Sequence, residues 1–149
     1  MKEDKILDDA YFMKLALKEA RKALEAGEIP VGAVIVCNET VIARGTNQVE
    51  MLHDPTAHAE MLAITAATHY LGNKFLDKCT LYVTVEPCPM CAGALFWSRI
   101  GRIVFATEDE KRGFLRHRPV ITHPATSLTQ GILREEAKKL MDTFFKTKR

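Results

Sequence analysis

Apolar residues recur with helical spacing near the beginning of the chain. Between residues 9 and 26 they fall three or four positions apart with charged residues between them, which predicts an amphipathic helix. Asp9 is expected to cap its start and Gly27 to end it. The same spacing predicts a final helix, marked by Leu133, Ala137, Leu140, Met141 and Phe144.

Other segments carry apolar, β-branched runs that predict strands. VGAVIVC (31–37) and TVIARGT (40–46) predict a hairpin that turns at Asn38-Glu39. CTLYVTV (79–85) predicts a buried strand. RIVFAT (102–107) predicts another, and a short strand is expected near 126–129.

Helices are predicted between these strands. Thr56 is expected to cap a helix over residues 57–70, and CPMCAGALFWSR predicts one over 88–99. Residues 108–125 predict an irregular loop because they contain a glycine and two prolines. The order α-β-β-α-β-α-β-(β)-α predicts a single α/β domain, 1–149, whose mixed sheet carries helices on both faces.

The N-terminal sequence and the length of the apolar runs indicate where in the cell the protein is found. The N-terminal stretch MKEDKILDDAYF has acidic residues and no apolar core typical of an export signal, and the longest apolar runs fall short of the about 18 residues that a membrane span needs. We therefore expect a cytoplasmic protein without a membrane partner. The formal net charge of +2 is weakly basic, with positive charge concentrated in KRGFLRHR (111–118) and in the tail FFKTKR.

The cysteines point to a metal or redox site. Four cysteines in a chain without an export signal are typical of thiols or metal ligands rather than disulfides. Cys88 and Cys91, in PCPMC, begin a predicted helix and share one of its faces. His58 and Glu60, in HAE, lie at another predicted helix start. The alternatives are a redox dithiol, a structural zinc site and a catalytic metal site.

The number of ligands distinguishes these alternatives. His58, Cys88 and Cys91 provide three ligands and leave a fourth position for water, whereas a structural zinc site has four protein ligands. The candidates for a fourth ligand are His53, Cys37 and Cys79. Both of these cysteines fall inside predicted strands, where a free cysteine is usually a small buried hydrophobic residue. A redox dithiol is disfavoured because it would not explain the His-x-Glu motif at another predicted helix start.

Glu60 is expected to carry protons rather than to bind the metal. Positions two apart on a helix point to opposite sides, so His58 and Glu60 can face one ion only if His58 lies at the helix cap. A carboxyl group beside a metal-activated water is suited to general acid/base chemistry.

The combination of H-x-E and P-C-x-x-C resembles the signature of the zinc-dependent nucleobase deaminases. Within that superfamily the chain is similar to the bacterial tRNA adenosine deaminases. The resemblance runs through EIPVGAVIV, Asn47, HDPTAHAE, TLYVTVEPCPMCAGAL and SRIGRIVF to about residue 107, and it resumes in GILREEA.

This resemblance implies a fold and a site. The fold is a cytidine-deaminase-like three-layer α/β/α arrangement with a mixed five-stranded sheet. One Zn²⁺ per subunit is held by His58, Cys88 and Cys91, with Glu60 as general acid/base. Asn47 is expected to hydrogen-bond the bound base. The loop over the pocket is shaped by His53, Asp54 and Pro55.

The resemblance also implies an activity and partners. It implies hydrolytic deamination of adenosine to inosine at the wobble position of the tRNA anticodon stem-loop, by attack of zinc-bound hydroxide, and it implies a homodimer. The alternatives are a deaminase of free bases or nucleosides, such as guanine or cytosine, and a zinc-stabilised RNA-binding module.

The chain departs from the expected pattern after residue 107, where the tRNA enzymes continue with a glycine-rich stretch of small residues. Either an RNA surface or an ordinary exposed loop is formed by Arg112, Phe114, Arg116 and His117. Through the resemblance, the tail residues expected to contact RNA are Phe145, Lys146 and Arg149. For Phe96 and Trp97 we expect core packing first and a homodimer contact second.

Overall fold

The computed structural model describes residues 6–147. The helices are α1 (Asp9–Glu25), α2 (Val49–Leu52), α3 (Ala59–Leu71), α4 (Pro89–Trp97) and α5 (Arg134–Thr147). The strands are β1 (Gly32–Cys37), β2 (Thr40–Thr46), β3 (Cys79–Val85), β4 (Arg102–Thr107) and β5 (Ser127–Gln130). The predicted strand segments match these bounds to within one residue at each end.

The five strands form one mixed sheet in the order β2-β1-β3-β4-β5. β1 is antiparallel to β2 and β3, whereas β3, β4 and β5 are parallel. Asn38 and Glu39 have φ values of 53° and 60°, as a tight two-residue hairpin turn requires. The parallel strands direct the chain after β3 and after β4 to the same edge of the sheet.

Helices cover both faces of the sheet, which confirms the predicted three-layer α/β/α fold. α1 and α5 bury one face, in a core that includes Met13, Leu17, Val34, Val104 and Ala137. α3 and α4 bury the other face, in a core that includes Ile35, Ala63, Val83, Leu95 and Phe105. Within the 142-residue stretch from 6 to 147, no helix is both long and apolar enough to cross a membrane.

The predicted cap of α1 was wrong by one residue. Asp8 is the N-cap, and its Oδ1 accepts a hydrogen bond from the backbone N–H of Tyr11 at 2.8 Å. Asp9 instead accepts two hydrogen bonds from the Arg102 guanidinium, at 2.8 and 2.7 Å, and one from the Tyr82 hydroxyl at 2.8 Å. The guanidinium bonds lower the pKa of Asp9. Asp9 therefore ties α1 to β3 and β4.

The predicted start of α3 was also wrong. Thr56 does not cap the helix, because its N–H and hydroxyl donate to Asp54 Oδ1 in a local turn, both at 2.8 Å. His58 occupies the N-cap. The short helix α2 was not predicted. Gly45 of β2 lies against the backbone carbonyl of Ala59, where any side chain would clash, so the start of α3 packs directly onto the sheet.

Candidate metal centre and active site

Two helix starts bring the predicted ligands together. His58 is the N-cap of α3. Cys88 is the N-cap of α4, which begins at Pro89, shortly after the end of β3 at Val85. Both have extended backbone conformations, and neither side chain makes a capping hydrogen bond. Their side chains are therefore available to a ligand. Cys91 lies one turn further along α4 and is fully buried.

The geometry of the three donor atoms suits a tetrahedral metal ion. His58 Nδ1 lies 3.6 Å from Cys88 Sγ and 3.6 Å from Cys91 Sγ. All three atoms lie within 4.8 Å of one another. Zinc bonds of about 2.3 Å to sulfur and about 2.0 Å to nitrogen, at tetrahedral angles, would place the nitrogen about 3.5 Å from each sulfur. One imidazole and two thiols are also a donor set that zinc prefers.

The other candidate ligands lie outside this group. Among residues 6–147, no fourth histidine, cysteine or acidic side chain joins the cluster. Cys37 of β1 lies opposite Cys79 of β3 in the sheet. Burial raises the pKa of the Cys79 thiol to about 12, as expected of an inert thiol. His53 is exposed at the end of α2. The described ligand set therefore has three members.

Hydrogen bonds within the cluster set its charge. A hydrogen bond from the Cys91 thiol, together with one from His58, lowers the pKa of Cys88 to about 4. The same bond to Cys88, with burial, raises the pKa of Cys91, and the bond to Cys88 also raises the pKa of His58. The cluster thus favours the thiolate form of Cys88. A dication would favour thiolate at Cys91 and neutral imidazole at His58 as well.

Glu60 lies beside the three donors. It is only 4% exposed, and burial, reinforced by the negative charge on Cys88, raises its pKa to about 7. Because His58 is the cap rather than a helical residue, both side chains can approach the same point. A buried carboxyl group with a pKa near neutrality can both accept and release a proton.

Asn47 follows the end of β2 and is buried. Its Nδ2 donates to the carbonyl of Ile29 at 3.0 Å, and its backbone N–H donates to the carbonyl of Val31 at 3.2 Å. Its Oδ1 is buried and has no hydrogen-bond partner among the described residues. Such an oxygen is costly to leave unpaired, so a ligand or water with a donor group would satisfy it.

Residues 7–107 match the family described as the cytidine and deoxycytidylate deaminase zinc-binding region. The chain belongs to this deaminase family. It is 46% identical to a tRNA-specific adenosine deaminase of Aquifex aeolicus, with 91% of this chain and 93% of the relative covered. It is 44% identical to the tRNA-specific adenosine deaminase of Bacillus subtilis, with 93% and 89% covered.

Solved structures agree with this assignment. One, from a study of A-to-I editing by tRNA:A34 deaminases at the wobble position, is 40% identical with a TM-score of 0.82 and covers 87% of this chain and 98% of its own. A guanine deaminase from Nitrosomonas europaea is 25% identical with a TM-score of 0.79, covering 96% and 87%. A guanine deaminase from Bacillus subtilis is 46% identical over 68% of this chain and 65% of its own, with a TM-score of 0.65.

The loop after α2 reaches the deaminase centre through its backbone. The carbonyl of Pro55 interacts with the ring of His58, one of the three candidate metal ligands. Asp54 shapes the turn, and its bonds from the backbone and side chain of Thr56 lower its pKa. His53 has a left-handed backbone (φ 50°) and an exposed side chain.

Hydrogen bonds hold the divergent segment after β4, residues 108–125, next to Cys88. Glu86 is buried and accepts hydrogen bonds from the backbone N–H groups of Asp109 (3.2 Å) and Leu115 (3.0 Å). The N–H of Phe114 donates to the carbonyl of Pro87 at 3.0 Å. Phe114 is fully buried against Phe105, so its proposed role in stacking on RNA was wrong.

Other predicted contact residues lie on the surface of the deaminase. Arg112, Arg116 and His117 are exposed on this segment. Phe145 is 50% exposed, whereas Phe144 is buried, and Lys146 is exposed. Arg149 lies outside the described residues. Trp97 is 77% exposed, so its expected core packing was wrong, and Phe96 is half-buried against it.

The sequence reasoning missed the buried carboxylates of Glu28 and Glu86. Both hold loop backbone next to the site. The available signal was their position, because each acidic residue stands one or two positions before a proline beside an apolar strand. A lone carboxylate in that setting must find hydrogen-bond donors when it is buried.

Proposed function

We propose that the protein is a zinc-dependent tRNA adenosine deaminase that converts adenosine to inosine at the wobble position of the anticodon. The observation that carries this proposal is the three-donor cluster with the buried Glu60 beside it. Relatives named tRNA-specific adenosine deaminase, matched over nearly their whole length at up to 46% identity, support the substrate class.

The residues of the cluster have separate roles in this proposal. One Zn²⁺ per subunit would be held by His58, Cys88 and Cys91. The metal supplies Lewis acidity, which makes a bound water acidic near neutral pH. The N–H groups at the starts of α3 and α4 favour the thiolate form of the cysteines that zinc requires.

Glu60 moves the protons. Its carboxylate takes a proton from the attacking water and delivers it to N1 of adenine, while the water oxygen bonds to C6. Glu60 then takes the remaining proton from the hydroxyl group at C6 and passes it to the amine, so that the C6–N bond breaks, ammonia leaves and the C6 carbonyl of inosine forms. Burial raises the pKa of Glu60, which suits a carboxyl group that both accepts and releases a proton.

Asn47 and the loop of residues 53–55 would bind the base. The unpaired Oδ1 of Asn47 offers an acceptor in a buried position. A base must leave its stack to enter such a pocket, and a loop nucleotide is cheaper to unstack than one in a duplex. This favours the anticodon loop as the substrate.

A deaminase of free purine bases is the second candidate. Two structural relatives that are guanine deaminases favour it. A third candidate, a zinc-stabilised RNA-binding module, leaves the proton carrier without a use. The adenosine deaminase relatives combine 44–46% identity with 91–93% coverage of this chain, whereas the guanine deaminases match either at 25% identity or over only 68% of it, so the tRNA substrate is preferred.

The first prediction separates these candidates. With an anticodon stem-loop carrying adenosine at the wobble position, we expect stoichiometric ammonia and inosine, measured by mass spectrometry of the digested RNA. The same stem-loop with guanosine at that position, free adenosine, free cytidine and guanine are expected to turn over far more slowly. Turnover of guanine with an inert adenosine stem-loop would favour the second candidate, and RNA binding without any conversion would favour the module.

A second prediction concerns the exposed arginines beside the site. Arg112→Ala combined with Arg116→Ala is expected to raise the KM for the stem-loop and to flatten its salt dependence by about 0.7 per lost phosphate contact on a log–log plot. The matched control is Arg21→Ala, which removes an exposed arginine from α1 on the other layer. Equal slopes for the double variant and the control would assign 108–125 to an ordinary exposed loop. Phe145, Lys146 and Arg149 are further candidates for the same surface.

We also propose a homodimer that uses the exposed end of α4. Trp97 borders a cleft of about 780 Å³ that Phe75, Phe96, Arg99 and His123 also line. A large exposed tryptophan in an aromatic and basic setting is typical of an interface centre. Trp97→Ser is therefore expected to convert dimer to monomer in sedimentation equilibrium, and a wild-type monomer would contradict the proposal.

A tRNA substrate also favours a cytoplasmic location for the protein.

A further inference from the structure

A buried carboxylate outside the metal cluster lies just before β1. Glu28 is 2% exposed, and in the described part of the chain it takes part in no salt bridge. Its oxygens instead accept hydrogen bonds from two backbone N–H groups, Glu50 at 2.9 Å and Met51 at 2.8 Å. A carboxyl group that is buried without a cation depends on such bonds for its stability.

These two N–H groups belong to the first turn of α2. First-turn N–H groups have no acceptor within their own helix. A helix of four residues is also far too short to be stable alone. Glu28, which lies 22 and 23 residues away in the chain, supplies the acceptors that hold α2 in place.

The segment containing Glu28 also holds Asn47, on the N-terminal side of α2. The carbonyl of Ile29 accepts from Asn47 Nδ2, and the carbonyl of Val31 accepts from the Asn47 backbone. Residues 28–31 therefore fix both the Asn47 side chain and the helix that follows it.

On the C-terminal side, α2 leads to the metal cluster. The N–H of Asp54 donates to the carbonyl of Val49 at 3.1 Å, which closes the turn after α2. The carbonyl of the next residue, Pro55, interacts with the ring of His58. The position of α2 is thus transmitted to the loop that leads to His58.

We propose that Glu28 is a positioning residue whose carboxylate fixes α2, and thereby holds Asn47 and the 53–55 loop in place for the substrate. The inference rests on the proposed function for the identity of the substrate. The metal ligands and Glu60 are carried by α3 and α4, which pack directly on the sheet. Glu28 is therefore expected to act on substrate binding far more than on the chemical step.

Glu28→Gln tests this assignment. The variant keeps the size of the side chain, but its amide offers one acceptor group and one donor group, so one of the two N–H groups of α2 meets a donor. We expect the KM for the adenosine stem-loop to rise about tenfold, kcat to change less than about threefold, and zinc to remain at one per chain. In a Glu60→Gln background, which removes turnover, the Kd for the stem-loop is expected to rise by the same factor as KM.

Hydrogen exchange provides a readout that does not depend on activity. Peptides covering residues 48–57 are expected to exchange about tenfold faster in Glu28→Gln, because the N–H groups of Glu50 and Met51 lose protection. The control is Asp9→Asn, which removes a partly buried carboxylate on the opposite face of the sheet. It is expected to lower the Tm while leaving both KM and the exchange of 48–57 unchanged.

The outcomes are distinct. Unchanged exchange at 48–57, or a KM no different from that of Asp9→Asn, would overturn the assignment. If Glu28→Gln does not fold, Glu28→Asp, which withdraws the carboxylate by one methylene, is judged by the same readouts. A wild-type protein that leaves the stem-loop unconverted would reject the proposed function, while exchange at 48–57 would still decide whether Glu28 holds α2.

Discussion

Glu60→Gln is expected to lower kcat for the adenosine stem-loop by about 10³-fold, because a positioned proton carrier contributes about 10²- to 10⁴-fold to such reactions. The amide has the shape of the protonated carboxyl group but cannot take a proton from water or return one to the leaving amine. Zinc content should stay at one per chain, since Glu60 is outside the ligand set. Single-turnover inosine formation and elemental analysis of the same sample give both quantities.

A matched substitution controls for the change of charge. Glu25→Gln alters an exposed residue at the end of α1 and is expected to leave kcat and zinc content unchanged. A loss of less than tenfold in Glu60→Gln would remove Glu60 from the proton path. A loss of zinc would instead make it a ligand and undo the three-donor assignment.

Cys88→Ser is expected to abolish both zinc binding and turnover. Cys88 is the thiol whose pKa is lowered to about 4, and a serine hydroxyl would stay protonated and leave only two ligands. We expect zinc to fall below about a tenth of an equivalent after dialysis, with a lower Tm because the ion no longer stabilises the folded state. Elemental analysis and thermal unfolding, with and without added zinc, measure these changes.

The chain offers a second cysteine as the control. Cys37→Ser replaces a half-buried thiol of β1 that lies outside the cluster, so zinc content and kcat should match the wild type. If Cys37→Ser loses zinc as Cys88→Ser does, the metal is bound elsewhere. If Cys88→Ser keeps a full equivalent, Cys88 is not a ligand.

The strands could be predicted closely because their signal is local. The runs 79–85 and 102–107 are apolar and β-branched, and they became β3 and β4 without change. The helix caps depended on distant partners. Asp8 and Asp9 are equivalent in sequence, and the choice between them follows from Arg102, 93 residues from Asp9, which draws Asp9 away from the cap.

The site shows the same division between local and distant causes. Ligand types and spacing could be read from HAE and PCPMC, because each motif lies within one helix start. Their approach could be expected only through the resemblance, since it depends on how α3 and α4 pack on the sheet. The burial of Phe114 could not be predicted because its contacts, Phe105 and the carbonyl of Pro87, lie in other parts of the chain.

The role of Glu28 shows a further limit. Its sequence setting indicates a buried carboxylate at most, whereas its partners are backbone groups of α2, a helix with no recognisable pattern of its own. Every residue except proline has a backbone N–H, so the residue type does not show which N–H groups bind Glu28. Only the structure shows them.

The central claim is that zinc is held by three protein ligands, with one position left for water. X-ray absorption at the zinc edge of the native, RNA-free protein measures this coordination directly. The account predicts two sulfur ligands and a remaining shell of nitrogen and oxygen, one imidazole and one exchangeable solvent oxygen. Three or four sulfur ligands, a second imidazole in place of solvent, or a fully folded native protein without zinc would contradict it.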